Sequence, residues 1–166
     1  MKKTIVIAIV VAAIAVPAAI YAAGPLFVNT TINEAAPLAP MAAVSTSPGD
    51  NMTGKPDMME TRIAGTFVGV GDGIHDAEGA ATVIPVASGN VLRLEGFRST
   101  NGPDLYVYLS TGKDASDFVN LGRLKANIGN QNYDIPEGTD LSKYDTVLIW
   151  CQQFSVLFGS AKLQSS

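Results

Sequence analysis

A chain of 166 residues, 47% hydrophobic and 16% charged with a formal net charge of −4, shows no Lys/Arg cluster or basic stripe, which argues against nucleic acid as a partner. One cysteine and one histidine exclude more. An internal disulfide, a Cys-x-x-Cys redox pair, a c-type haem attachment, a four-cysteine cluster or zinc site, and a two-histidine blue-copper centre all need more ligands than the chain holds.

Lys2 and Lys3 precede an uncharged run from Thr4 to Asn33 that is strongly apolar from Ile5 to Ala23. As a helix the apolar part would span ~28 Å, close to the hydrocarbon core of a bilayer. Positive residues stay cytoplasmic, so the N-terminus is expected inside and everything after residue 23 outside. Pro17 is compatible with a membrane helix. The competing reading is a cleaved signal peptide, but residues 5–23 exceed the usual ~7–15-residue apolar region. Of its cut sites, Ile20-Tyr21-Ala22 carries large side chains and Val16-Pro17-Ala18 cuts the apolar run short. We expect a single-pass anchor at the cell membrane, or a secreted protein if the segment is cleaved.

Residues 24–61 read as a flexible Pro/Ala/Thr-rich linker with no persisting hydrophobic period. Both Asn-x-Thr sequons lie here, making Asn29 and Asn51 glycosylation candidates on a stalk. Met52, Met58 and Met59 raise a soft-metal site for copper, but their irregular spacing favours plain linker residues.

Residues 62–166 form one β-rich domain: short apolar runs separated by Gly, Asn, Asp and Pro. IAGTFVGV (63–70) leads into a Gly/Asp-rich loop. ATVIPVA (81–87) and VLRLEGF (91–97) predict a hairpin about Ser88-Gly89-Asn90, with Pro85 at a sheet edge or bulge. In LYVYLS (105–110), Leu105, Val107 and Leu109 share one face, Tyr106 and Tyr108 the other. DASDFVNLGRL allows a short helical turn capped by Asp114. In TVLIWCQQF, Val147, Ile149 and Cys151 share a face, opposite Leu148, Trp150 and Gln152. The pattern predicts an all-β domain, an antiparallel sandwich or barrel of about 7–9 short strands.

His75 before a glycine-bearing loop, the Asn-Gly-Pro-Asp-Leu turn at 101–105 and the Trp-Cys-x-x-Phe signature at 150–154 together resemble the DM-thirteen domain. This is the Skeletor-type electron-transfer domain often found beside DOMON domains, and the resemblance runs from Ile63 to Leu163. It implies an extracytoplasmic β module whose cysteine, here Cys151, acts as a bare thiol or attaches a group such as haem. The chain lacks a DOMON-like segment, so the resemblance implies a separate redox partner protein.

The residues leave alternatives open. Cys151 reads as a redox centre or as a small core residue, since unpaired cysteine is among the most buried types. His75 reads as a ligand or proton carrier, or as a loop histidine hydrogen-bonded to Asp76 or a carbonyl. Asp72, Asp76 and Glu78 match no calcium loop and read as turn residues, as do Gly102, Pro103 and Asp104. Trp150 and Phe154, with Tyr106 and Tyr108, offer an aromatic surface beside the cysteine or ordinary packing. No nucleophile–base constellation marks an enzyme, and the runner-up to a redox module is a cell-surface binding or scaffold domain. Protein recovered from its membrane should have the intact mass of the whole chain; a start after Ala18 or Ala22 would mark a secreted protein instead.

Overall fold

The computed structural model describes residues 28–38 and 62–165. The expected anchor at 5–23, Asn51, Met52, Met58 and Met59 lie outside the described residues, among which no helix is long and apolar enough to cross a membrane. The elements are β1 (Thr31–Asn33), β2 (Ile63–Gly69), β3 (Ala77–Val86), β4 (Gly89–Ser99), β5 (Leu105–Ser110), β6 (Phe118–Arg123), β7 (Ile128–Ile135), β8 (Thr146–Cys151), β9 (Val156–Lys162) and β10 (Gln164–Ser165).

They form one curled sheet in the order β1-β7-β4-β3-β2-β9-β8-β5-β6, with β10 beside β2. β2 turns the corner. Its first half, Ile63 to Thr66, pairs with β3, and its second half, Phe67 to Gly69, pairs with β9. Bulges in the β3–β4, β4–β7, β5–β6 and β8–β9 pairings add bend and twist. The all-β expectation holds. The antiparallel sandwich or barrel is corrected to a mixed, curled half-barrel, because β1 joins β7 in parallel and β2 serves both halves of one sheet.

The concave side holds the core. Leu92, Leu94, Val107, Leu109, Val147 and Ile149 are fully buried there, with Phe97 and Phe67 meeting edge to face at 5.3 Å. The alternation read from LYVYLS holds: Leu105, Val107 and Leu109 join the core, and Tyr108 does not. Tyr108 is nonetheless buried on the other face, its ring stacked 4.1 Å from Phe118. That burial raises the Tyr108 phenol above its ordinary range.

β3 and β4 form the expected hairpin, longer than the apolar runs suggested and closed by Ala87–Ser88 between paired Val86 and Gly89. Pro85 lies beyond the last β2 partner among the described residues, Val83, where no ladder hydrogen bond to β2 asks for its missing N–H. The helical turn does not form. Asp114 instead accepts from the backbone N–H and hydroxyl of Ser116 in a loop, and Phe118–Arg123 is a strand. Gly122 has φ of +118°, outside the helical region.

The largest departure concerns the stretch read as a linker. Residues 28–38 pack along the sheet edge, and β1 aligns Thr31, Ile32 and Asn33 with Ile128, Gly129 and Asn130. Just beyond, the Glu34 carboxylate accepts from Lys125 Nζ at 2.8 Å and the Asn132 N–H at 2.6 Å. The Lys125 hydrogen bond is the main cause holding the Glu34 carboxyl below its usual value. The Glu34 carbonyl accepts from buried Arg93, whose Nε donates to Glu95 at 2.7 Å. The sequence could not show this, because the Glu34 contacts join residues 59 to 98 positions apart.

Replacing fully buried Leu92 by alanine should lower unfolding free energy by about 2–5 kcal/mol in chemical denaturation, as expected for a cavity in a packed core.

Candidate functional site

Three connections meet at one end of the half-barrel: the β2–β3 loop (residues 70–76), the β4–β5 turn (100–104) and the β8–β9 turn (152–155). They enclose a cleft of about 240 Å³ lined by Ile74, His75, Asn101, Gly102, Pro103, Cys151, Phe154, Val156 and Phe158.

Cys151 ends β8, paired with Leu105 on one side and Val156 on the other. The two-residue period of the strand sends Cys151 to the core side with Val147 and Ile149, and sends Trp150 to the other face. The thiol carries no disulfide and its residue is 1% exposed. It lines the cleft, so reagents of different size should reach it very differently.

The β2–β3 loop owes its shape to Asp72. One carboxylate oxygen accepts from the backbone N–H of Ile74 and His75, at 2.8 and 2.7 Å. The other meets His75 Nδ1 at 2.6 Å. These contacts hold the Asp72 carboxyl down at about 2 from an ordinary 3.8, the His75 backbone N–H being the largest cause and its ring the next. An ionised carboxylate only accepts, so Nδ1 carries a proton, and whenever the ring is neutral Nε2 is its acceptor nitrogen. The ring also rests edge-on against Phe158, with centroids 4.5 Å apart. His75 is thus fixed in place and tautomer at the cleft.

The opposite wall is the turn read only as turn chemistry. At Gly102 a Cβ would stand 2.8 Å from both Leu105 Cδ2 and Phe158 Cζ, so the chain passes close enough to the core to require glycine. The Gln152 N–H donates to the Asp104 carbonyl at 2.9 Å and ties this turn to the β8–β9 turn. That tie leaves Phe154 at the mouth, largely exposed.

His75 shares one cleft with Cys151 and Phe154, which lie more than seventy positions further along the chain, while Trp150 faces away from it. Asp76, one alternative partner for His75, is engaged elsewhere: its carbonyl accepts from Thr100 N–H at 3.0 Å. Asp72 and Phe158 were not singled out as site residues. The Gly-Asp-Gly context of Asp72, three residues before His75, was the available signal for the first. Phe158 carried none. Glu78 pairs with Arg98 at 3.4 Å, and among the described residues no group of three or more His, Cys, Asp or Glu converges as for a metal ion. Asn29 does not sit on a free stalk. Its Oδ1 accepts from Asn101 and Asn127, at 3.2 and 2.9 Å, beside the cleft turn. A larger concavity of about 680 Å³, lined by Thr66, Thr111, Lys113 and Thr146 among others, lacks cysteine, histidine and carboxylates.

A family model described as electron transfer DM13 matches residues 69–163, more than half of the chain, and the match takes in the whole cleft. No curated protein and no solved structure matches the chain.

The Asp72 carboxyl should remain ionised from neutral pH down to about pH 3, its carbon resonance moving only as pH falls through about 2. Because its folded pKa is depressed, the loop stabilisation it provides is complete above the ordinary 3.8 and is lost progressively as pH falls from there through about 2. Asp72→Asn should remove the Nε2-acceptor preference from the nitrogen spectrum of the His75 ring at neutral pH.

Proposed function

The chain belongs to the DM13 electron-transfer family, and on that premise we propose that it is a membrane-tethered, extracytoplasmic redox accessory module working through Cys151. The observation that carries this reading is the convergence of the only cysteine and the only histidine on one cleft, from a strand end and a loop separated by most of the domain. Residues 5–23 supply the anchor, and the redox partner is a separate protein in or outside the membrane.

The bare-thiol form of the reading is the one the cleft favours. At about 240 Å³ it falls below the ~300–1,000 Å³ of pockets that enclose drug-sized ligands, and a haem is larger than most of those. The residues present do not fit an enclosed haem, and no step is derived through one.

The nucleophilic form of cysteine is the thiolate. His75, with Nδ1 committed to Asp72, offers Nε2 as acceptor for the thiol proton, directly or through a water. The thiolate then attacks one sulfur of a disulfide presented by the partner on a narrow segment. A bond forms between Cys151 Sγ and that sulfur as the partner's S–S bond breaks, and the expelled thiolate takes the proton from Nε2. A second partner thiol reverses the step. In this exchange the chain holds the oxidising equivalents as a mixed disulfide.

The scaffold reading, with Cys151 as core packing, is favoured by the 1% exposure. Native-state labelling separates the two. We expect a small neutral alkylating reagent to modify Cys151 in the folded protein, a bulky maleimide to fail, and His75→Ala to slow the reaction at least about tenfold. A thiol inert to every reagent until the protein unfolds would establish the scaffold reading.

A further inference from the structure

Several exposed apolar side chains stand at the cleft end, while Leu38, Val68 and Phe118 are exposed outside it. Ile74 is 70% exposed and Phe154 63%, both on the rim, and Val28 is 63% exposed. Val28 borders a neighbouring groove that shares Asn101, Gly102 and Pro103 with the cleft, so the three flank a single turn. The hydrogen bond from Asn101 to Asn29 holds the start of the described chain there.

Two ion pairs lie nearby, Arg123 with Asp104 at 2.6 Å and Lys125 with Glu34 at 2.8 Å, and the Asp72 carboxylate is held in hydrogen bonds by its own loop. An apolar rim whose charges are held in local contacts suits a zwitterionic lipid surface better than a strongly charged protein partner.

Chain length decides what lies opposite. Only Gly24, Pro25, Leu26 and Phe27 separate Val28 from the apolar run ending at Ala23. Fully extended, the step from Ala23 to Val28 reaches at most about 17 Å. The headgroup layer between hydrocarbon and water is itself ~5–7 Å deep. Because residues 28–38 dock on the sheet edge, the long stretch up to Arg62 does not lengthen this leash.

We infer that the cleft end rests on the bilayer from which the chain emerges, with Val28, Ile74 and Phe154 in the interfacial layer. The inference rests on the reading of residues 5–23 as a retained anchor. The test uses the full chain in phosphatidylcholine vesicles with brominated acyl chains, Trp150 left in place as common background. Phe154→Trp and Ile74→Trp are compared with Ser88→Trp, in the exposed turn between β3 and β4. Both rim variants should lose at least about twice as much added fluorescence to the bromines as the Ser88 variant. Vesicle flotation reports the anchor separately. A chain that floats but shows equal quenching at all three positions overturns this inference and leaves the anchor standing; a chain that does not float overturns both.

Discussion

The register of β8 between β5 and β9 is the constraint on which the rest depends. Val147, Ile149 and Cys151 are buried on one face, and slipping the strand by one residue would turn all three outward and bring Leu148 and Trp150 in. No such slip is tolerated where the inward face is part of the core. The sulfur is therefore placed by the aliphatic residues two and four positions before it, and the cleft is built around a position that packing has already chosen.

What packing fixes for the sulfur, hydrogen bonding fixes for the imidazole. A seven-residue loop has many conformations, yet Asp72 draws two backbone N–H groups and the His75 ring onto one carboxylate. Phe158 then supplies a flat support from β9. A rigid strand end and a loop organised by one carboxylate thus bring together two groups that neither element could position alone. The same principle holds across the cleft, where Gly102 lets the chain pass against Leu105 and Phe158.

The parts of this arrangement that follow a short sequence period were legible. Alternation in LYVYLS and TVLIWC placed Val107, Ile149 and Cys151 on the core side, and turn chemistry located the β3–β4 and β4–β5 connections. Cys151, His75 and Phe154 could each be singled out by residue type and motif. Their convergence could not be read, because it depends on the curl of the sheet and on β2 changing partners midway. The docking of β1 was illegible for a related reason. Its sequence, Thr-Ile-Asn, has no pattern of its own, and what secures it is Lys125, Arg93 and Asn132 far along the chain. Phe118–Arg123 misled in the opposite direction, since Asp114 resembles a helix cap until Gly122 shows a backbone no helix accepts.

The parallel edge strand also has a mechanical meaning. Tension applied through the N-terminus enters the domain at β1, which shares only three aligned positions with β7. The load would next fall on Ile63, where β2 lies between β3 and β10 and is far better supported. β1 and its Glu34 contacts therefore act as a fuse. If they let go, the load passes to β2, which is held on both sides. A three-residue edge pairing thus stands ahead of the core in the line of pull.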